Sequence, residues 1–326
     1  MEQQEARVSP QPQLQPSDGL EGDDRVNCPP SRYPVVDKMR VGGPKGVLRS
    51  IIISMRPHQW YKNLVLFIGI IFSDNLLNLG LWAPLLLAFL VFCILSGSLY
   101  IINDVKDIDL DKLHPKKRYR PIAAGDLSPA IAVPTATIFI IGAIVLGFVI
   151  NTAFGLLCLA YLLTNSTYTA YLKNYAIIDA IIIGVGFIIR AAAGCVVIDV
   201  RISPWLILCV FLFALVLTFG KRRQELIIAD SSRACLTDYS VPMTENFLNL
   251  SVSLLLMSYS LYSVSVNESL LLTLPFAIFG VFRYVQLVHL NNFGGSCEKL
   301  LLDRPSVINL ILWAGLLIFI LYGGFL

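Results

Sequence analysis

Charge, histidine and paired cysteine are all in short supply in this sequence, and each shortage closes off a class of protein. Only 14% of the 326 residues are Asp, Glu, Lys or Arg, against 56% hydrophobic, which is too little charge for a soluble globular surface. The formal net charge of +3 is small and says little alone; no nucleic-acid partner is expected. Seven cysteines occur without a CxxC pair, and Cys93, Cys158, Cys195 and Cys209 sit inside apolar runs. They read as small buried hydrophobes, not as a disulfide or zinc framework. His58, His114 and His289 show no zinc-type spacing and read as interface residues. The N-terminus lacks the basic start and apolar core of a secretory signal. What is left is a polytopic membrane protein.

Residues 1–46 are rich in Pro, Gln, Ser, Asp and Glu, with Pro10, Pro12, Pro16, Pro29, Pro30 and Pro34 interrupting any helix. They read as a disordered cytoplasmic tail, and 47–326 as one transmembrane domain. Its first span, Val47 to Phe72, is half amphipathic and half apolar. Eight more follow near Leu81–Ile102, Pro129–Ile150, Phe154–Tyr171, Ala176–Ile198, Pro204–Phe219, Phe247–Val266, Leu270–Leu290 and Val307–Phe325. Each can cross a hydrocarbon core of roughly 30 Å as a helix, so about nine are expected. Alternate loops carry basic residues: the run Lys112–Arg120, then Lys173, then Lys221, Arg222, Arg223 and Arg233, then Lys299 and Arg304. The intervening loops carry none but Arg201. The positive-inside rule places the basic loops and the N-terminus in the cytoplasm and the C-terminus outside.

The densest ionic cluster is NDVKDIDLDKLHPKKRYRPIAAG, Asn103 to Gly125, at the end of an apolar span. At about 100° per residue, Asn103, Asp104, Asp107 and Asp111 share one helical face. Carboxylates so close repel one another, and a hard divalent cation relieves the repulsion. Mg²⁺ held by a few carboxylates completes its octahedron with water and substrate phosphates, so a diphosphate substrate is expected. Lys112, Lys116, Lys117, Arg118 and Arg120 supply cations for the phosphate oxygens the metal does not reach.

Ionisable groups within the apolar spans are expensive and serve a cavity or a partner. Asp179 and Arg190 lie in the fifth span, eleven residues apart and close to one face, with Gly184, Gly186 and Ala191–Gly194 allowing close helix approach. Tyr171 and Lys173 stand at the entry to that span. Arg283 lies in the eighth. A second polar signature, Arg56-Pro57-His58-Gln59-Trp60-Tyr61-Lys62-Asn63, brings Gln59, Lys62 and Asn63 into an apolar span from the cytoplasmic side.

Asn103-Asp104-x-x-Asp107-x-x-x-Asp111, followed by Arg120-Pro121-Ile122-Ala123-Ala124-Gly125, resembles the first aspartate-rich motif of the UbiA-type intramembrane prenyltransferases. The resemblance runs from about Leu48 to the C-terminus. It implies a nine-helix α-bundle around a central cavity open to the cytosol, with Asp104, Asp107 and Asp111 holding Mg²⁺. The family's second motif is departed from, since Ile183 stands four residues after Asp179 where another Asp is expected. RPHQWYKN, Tyr171-x-Lys173, Ile189-Arg190-Ala191-Ala192-Ala193-Gly194 and Gly220-Lys221-Arg222-Arg223 are instead similar to the decaprenyl-phosphate phosphoribosyltransferase branch.

That likeness implies a pentosyltransferase of a bacterial plasma membrane, transferring 5-phosphoribose from phosphoribosyl pyrophosphate to a polyprenyl phosphate. The pathway in relatives supplies arabinose for cell-wall polymers such as arabinogalactan. Asp104, Asp107, Asp179, Lys173 and Arg190 would be catalytic; Gln59, Lys62, Asn63, Asn103, Lys117, Arg118, Arg120 and Tyr171 would bind substrate. A conventional prenyltransferase alkylating an aromatic acceptor is the alternative, and a cation-coupled transporter is disfavoured because no inverted repeat with broken central helices is visible. Homo-oligomerisation stays open.

Overall fold

The computed structural model describes residues 44–201, 203–228, 234–290, 300 and 302–323. The expected tail lies outside these except for its last three positions, as do Arg233 and Lys299. Among the described residues all regular structure is helical and there is no strand. The α-helices are α1 (Pro44–Ser54), α2 (Ile68–Ile71), α3 (Trp82–Lys106), α4 (Ile108–Leu113), α5 (Pro129–Ile150), α6 (Thr152–Ala170), α7 (Ile178–Val197), α8 (Pro204–Ile228), α9 (Val241–Val266), α10 (Leu274–Leu290) and α11 (Arg304–Tyr322).

Among the described residues seven helical stretches, led by Leu79–Lys106, are long and apolar enough to cross a membrane, and they make this a multi-pass membrane protein. The other two spans of the expected nine fall short for different reasons. In α6 the hydroxyl and amide side chains lower the hydropathy, but they are satisfied within the helix: Thr164 and Thr167 donate to the carbonyls of Ala160 and Leu163, and Asn165 to that of Tyr161. Polar groups bonded in this way can be housed among apolar helices.

The first span is interrupted at Arg56. The following Pro57 disfavours the right-handed helical region for this residue, and Arg56 takes the left-handed one (φ 54°, ψ 63°). The chain then winds as a 3₁₀ helix from Pro57 to Phe67, far longer than the few residues such helices ordinarily hold. Side chains three apart eclipse in this geometry. Trp60, Asn63 and Leu66 form one row, with Asn63 and Leu66 buried, and Gln59 and Lys62 form another, joined by a 3.1 Å hydrogen bond.

One buried cluster joins this segment to α3, α5, α6 and α7 through Leu66, Phe92, Ala143, Phe154, Tyr161 and Ile189. A second joins α7, α8, α9 and α10 through Ala180, Phe219, Leu248 and Tyr284. Small residues allow the close approaches the sequence suggested. A Cβ on Gly194 would sit 1.9 Å from the Leu66 carbonyl oxygen, so the 3₁₀ backbone lies directly on α7. Large apolar side chains such as Ile141, Val149, Phe282, Ile311 and Phe319 face outward, as a lipid-solvated surface requires. Cys93, Cys158 and Cys195 are free and buried.

Candidate active site

Hydrogen bonds between helix ends bring the charged segments together. Lys106 at the end of α3 donates to the Thr169 carbonyl on α6 (2.9 Å), and Lys173, in the short 3₁₀ turn Leu172–Asn174, reaches back to Asp107 (2.9 Å). On the other side Arg223 of α8 bonds Glu245 of α9 (2.7 Å) and the Val288 carbonyl of α10 (3.1 Å).

The single helical face expected for the acidic motif is interrupted at Asp107, where α3 stops and α4 starts. The break sorts the carboxylates. Asp104 and Asp111, each 3% exposed, share Arg120, whose Nη1 donates to Asp104 (3.1 Å) and Asp111 (2.6 Å). Arg56 donates to the same Asp104 oxygen and lies over the Tyr100 ring, 4.8 Å from its centroid. Asp107 turns to Lys173. Asn103 is half-buried and accepts the Asp107 N–H on its carbonyl.

Among the described residues no three acidic, Cys or His side chains form a preformed metal cage. The donor set nevertheless suits a hard cation: one arginine nitrogen sits within hydrogen-bond distance of oxygens from both Asp104 and Asp111, so a single positive centre already bridges them. Arg56 is the functional candidate that sequence reasoning left out of the site. Its signal was the Arg-Pro step at the head of RPHQWYKN, but its reach to Asp104 depends on the left-handed backbone.

The remaining candidates divide. Gln59 and Lys62 lie on the 3₁₀ row that begins beside Arg56. Lys117 sits half-buried in the turn Lys117–Tyr119, its N–H bonded to His114. Arg118 is exposed and donates to Tyr119 (2.7 Å). Tyr171 is 72% exposed and Lys173 stands two residues further on.

Asp179 and Arg190, close to one helix face, take separate partners. Arg190 donates to Asn63 Oδ1 (2.8 Å), the Gly186 carbonyl (3.1 Å) and the Tyr161 hydroxyl (2.5 Å). Asn63 in turn donates to Cys93 and Ser96. Arg190 and Asn63 thus tie the first span to α3, α6 and α7 in a buried polar knot. Asp179, fully buried, accepts from Arg222 Nε on Oδ2 (2.7 Å) and from the Tyr239 hydroxyl on Oδ1 (2.8 Å). Arg222 also meets Glu225 (2.6 Å). Arg283 forms a two-point clamp with Asp303 (3.0 and 2.8 Å) that fastens α10 to α11. A groove of about 670 Å³ runs along α10, lined by Phe279, Phe282 and Arg283 among others, and shares no residue with the acidic cluster.

The α-bundle thus gathers three carboxylates, Asp104, Asp107 and Asp111, and three cations, Arg56, Arg120 and Lys173, at the ends of its helices. Residues 65–302 match the model of the UbiA prenyltransferase family, and the chain belongs to that family of transferases. It is 29% identical to a decaprenyl-phosphate phosphoribosyltransferase of Mycolicibacterium smegmatis, over 84% of this chain and 93% of that one. It is 26% identical to the protein of the same name from Corynebacterium glutamicum, over 90% and 93%. Among solved structures it is similar to a UbiA homolog from Archaeoglobus fulgidus bound to GPP and Mg²⁺, with a TM-score of 0.66 at 16% identity, covering 84% of this chain and 99% of that one.

Proposed function

We propose that this chain transfers 5-phosphoribose from phosphoribosyl pyrophosphate to a polyprenyl phosphate, releasing pyrophosphate, with Mg²⁺ as cofactor. The observation that carries the reading is the group of cations gathered on one acidic site. Arg56, Arg120 and Lys173 each contact the Asp104–Asp107–Asp111 set, with Gln59 and Lys62 on the adjoining row, while the second acidic position, Asp179, is taken up by Arg222 and Tyr239. A donor and an acceptor that are both phosphorylated need several cations once a metal has taken over the carboxylates, whereas a neutral aromatic acceptor does not. The names of the two bacterial relatives support the same reading.

Asp104 and Asp111 would hold the cofactor, with Asp107 turning in from Lys173. Bound Mg²⁺ would supply charge neutralisation for the pyrophosphate group. Lys173, Arg56 and Arg120, freed from the carboxylates, would bind phosphate oxygens. The lipid phosphate is already anionic, so its oxygen attacks the anomeric carbon without a general base. The anomeric C–O bond breaks with its electron pair going to pyrophosphate, and attack from the opposite side inverts the centre. We place the site on the cytoplasmic face of a bacterial plasma membrane, where soluble phosphorylated sugars are found, and the product in the supply of pentose for cell-wall arabinan.

The test is a turnover assay of detergent-purified protein with labelled phosphoribosyl pyrophosphate and polyprenyl phosphate. Label should enter the lipid only with Mg²⁺, and not in Asp104→Ala or Asp107→Ala. The prenyltransferase name of the family keeps a second reading, prenyl transfer to an aromatic acceptor. Pyrophosphate release from a prenyl diphosphate, with no transfer from the sugar donor, would replace the first reading with this one.

A further inference from the structure

The entry to α7 holds a strained turn with an unusual anchor. Ile177 has φ 68° and ψ −51°, a region a β-branched side chain rarely enters, and the Ile178 N–H bonds back to the Ala176 carbonyl (2.8 Å). This is a tight three-residue γ-turn of the strained hand. Strain of this kind persists only where the surroundings over-determine the backbone.

Tyr239, forty-odd positions beyond α7 and just past the turn Ala234–Asp238, supplies that constraint. Its hydroxyl oxygen accepts the Ile177 N–H (2.6 Å) and its proton goes to Asp179 Oδ1 (2.8 Å). Burial pushes the Tyr239 phenol well above its ordinary value, so it stays a donor to Asp179 at neutral pH. The other Asp179 oxygen is held by Arg222, with Cys235 Sγ at 3.9 Å. Arg222 is balanced by Glu225 as well, and Lys221 lies 4.0 Å from the same carboxylate. Both Asp179 oxygens are thus engaged, one by Tyr239 and one by Arg222.

Lys173 lies four residues before Ile177, in the turn that closes against α7, and its ammonium is on Asp107. We propose that Asp179 and Tyr239 are positioning residues: by pinning the Ile177 turn they hold Lys173 against the first acidic motif. The second acidic position of this family member thus sets the geometry of the first. The proposal rests on the reading of Asp107 and Lys173 as parts of the substrate site.

The experiment uses Tyr239→Phe in the full chain, which keeps the ring and deletes both hydrogen bonds. Asp179→Asn is less suitable because it leaves Arg222 buried beside a neutral group. Hydrogen exchange of the peptide covering residues 172–179 should accelerate by about tenfold, the equivalent of one hydrogen bond, while peptides from α3 and α9 stay unchanged. In turnover, Tyr239→Phe and Lys173→Met should fail to add: the double variant should be no slower than Lys173→Met alone. Losses that multiply would mean that Tyr239 does not act through Lys173, and unchanged exchange at 172–179 would mean that it does not pin the turn; either overturns the proposal. A wild-type protein that transfers no phosphoribose would sink the functional reading, and the exchange measurement would still decide the anchor.

Discussion

Replacing Arg120 with glutamine isolates the charge that bridges the two buried carboxylates. Arg120 Nη1 contacts an oxygen of Asp104 and an oxygen of Asp111, so those oxygens lie within about 6 Å of each other, two hydrogen-bond lengths through one atom. At that separation and an effective dielectric of about 20, two carboxylates repel by about 3 kcal/mol. Salt does little to relieve it because both groups are buried. Arg56 still compensates Asp104 in the variant, so the expected loss of stability without divalent ions is smaller, about 1–2 kcal/mol. A cation that binds the folded protein returns stability in proportion to its affinity. Mg²⁺ should therefore raise the unfolding temperature of Arg120→Gln more than that of the wild type, where the guanidinium competes for the same oxygens. The assay is thermal unfolding in detergent, with chelator or with millimolar Mg²⁺. An equal rise in both proteins, or none in either, would refute the assignment of these carboxylates as the cation site, whatever the enzyme's substrate proves to be.

Three further variants probe the frame. Arg190→Leu leaves Asn63 and Tyr161 without their shared donor inside the bundle and should destabilise by about 2–5 kcal/mol, seen as a lower unfolding midpoint. Gly194→Ala drives a methyl group into the Leu66 carbonyl and should lose at least about 1–3 kcal/mol, whereas Gly142→Ala, where a Cβ meets nothing within 4 Å, should melt like the wild type. The Arg283 and Ser306 bonds hold the Asp303 carboxyl well below the ordinary carboxylate range. A depressed value stabilises above the unfolded-state value and is lost as pH falls through the folded one. The gap in unfolding temperature between wild type and Asp303→Asn should therefore be full at neutral pH, shrink in acid below the ordinary carboxylate value, and close below the depressed one.

The apolar runs and the spacing of the aspartates made the membrane class and the first acidic motif readable from the chain, because both depend on local periodicity. What periodicity could not show is pairing across distance. Arg222 finds Asp179 across 43 positions and Arg190 finds Asn63 across 127, so the face shared by Asp179 and Arg190 could name neither partner. Arg56 escaped notice as a site residue because its side chain reaches Asp104 only from a backbone conformation that Arg seldom adopts. The polar α6 and the interrupted first span were legible as segments, but their hydropathy and winding depend on hydrogen bonds that composition does not report. Residues 1–46 keep their sequence-based reading as a tail, untouched by the structure except where α1 begins at Pro44.

The long 3₁₀ segment also constrains how this chain can vary in length. With three residues per turn, inserting or deleting a single residue between Pro57 and Phe67 rotates everything beyond it by about 120°. The row that packs inward, Trp60, Asn63 and Leu66, would exchange places with its neighbours: an insertion ahead of Lys62 would carry Lys62 toward the core in place of Asn63, and a deletion there would carry Leu64. A change of three residues instead restores each row to its own side, displaced by one turn of about 6 Å. Length variants that keep both the polar knot at Arg190 and the cation row at the site should therefore differ here by multiples of three, a rule that α-helical spans with 3.6 residues per turn do not obey.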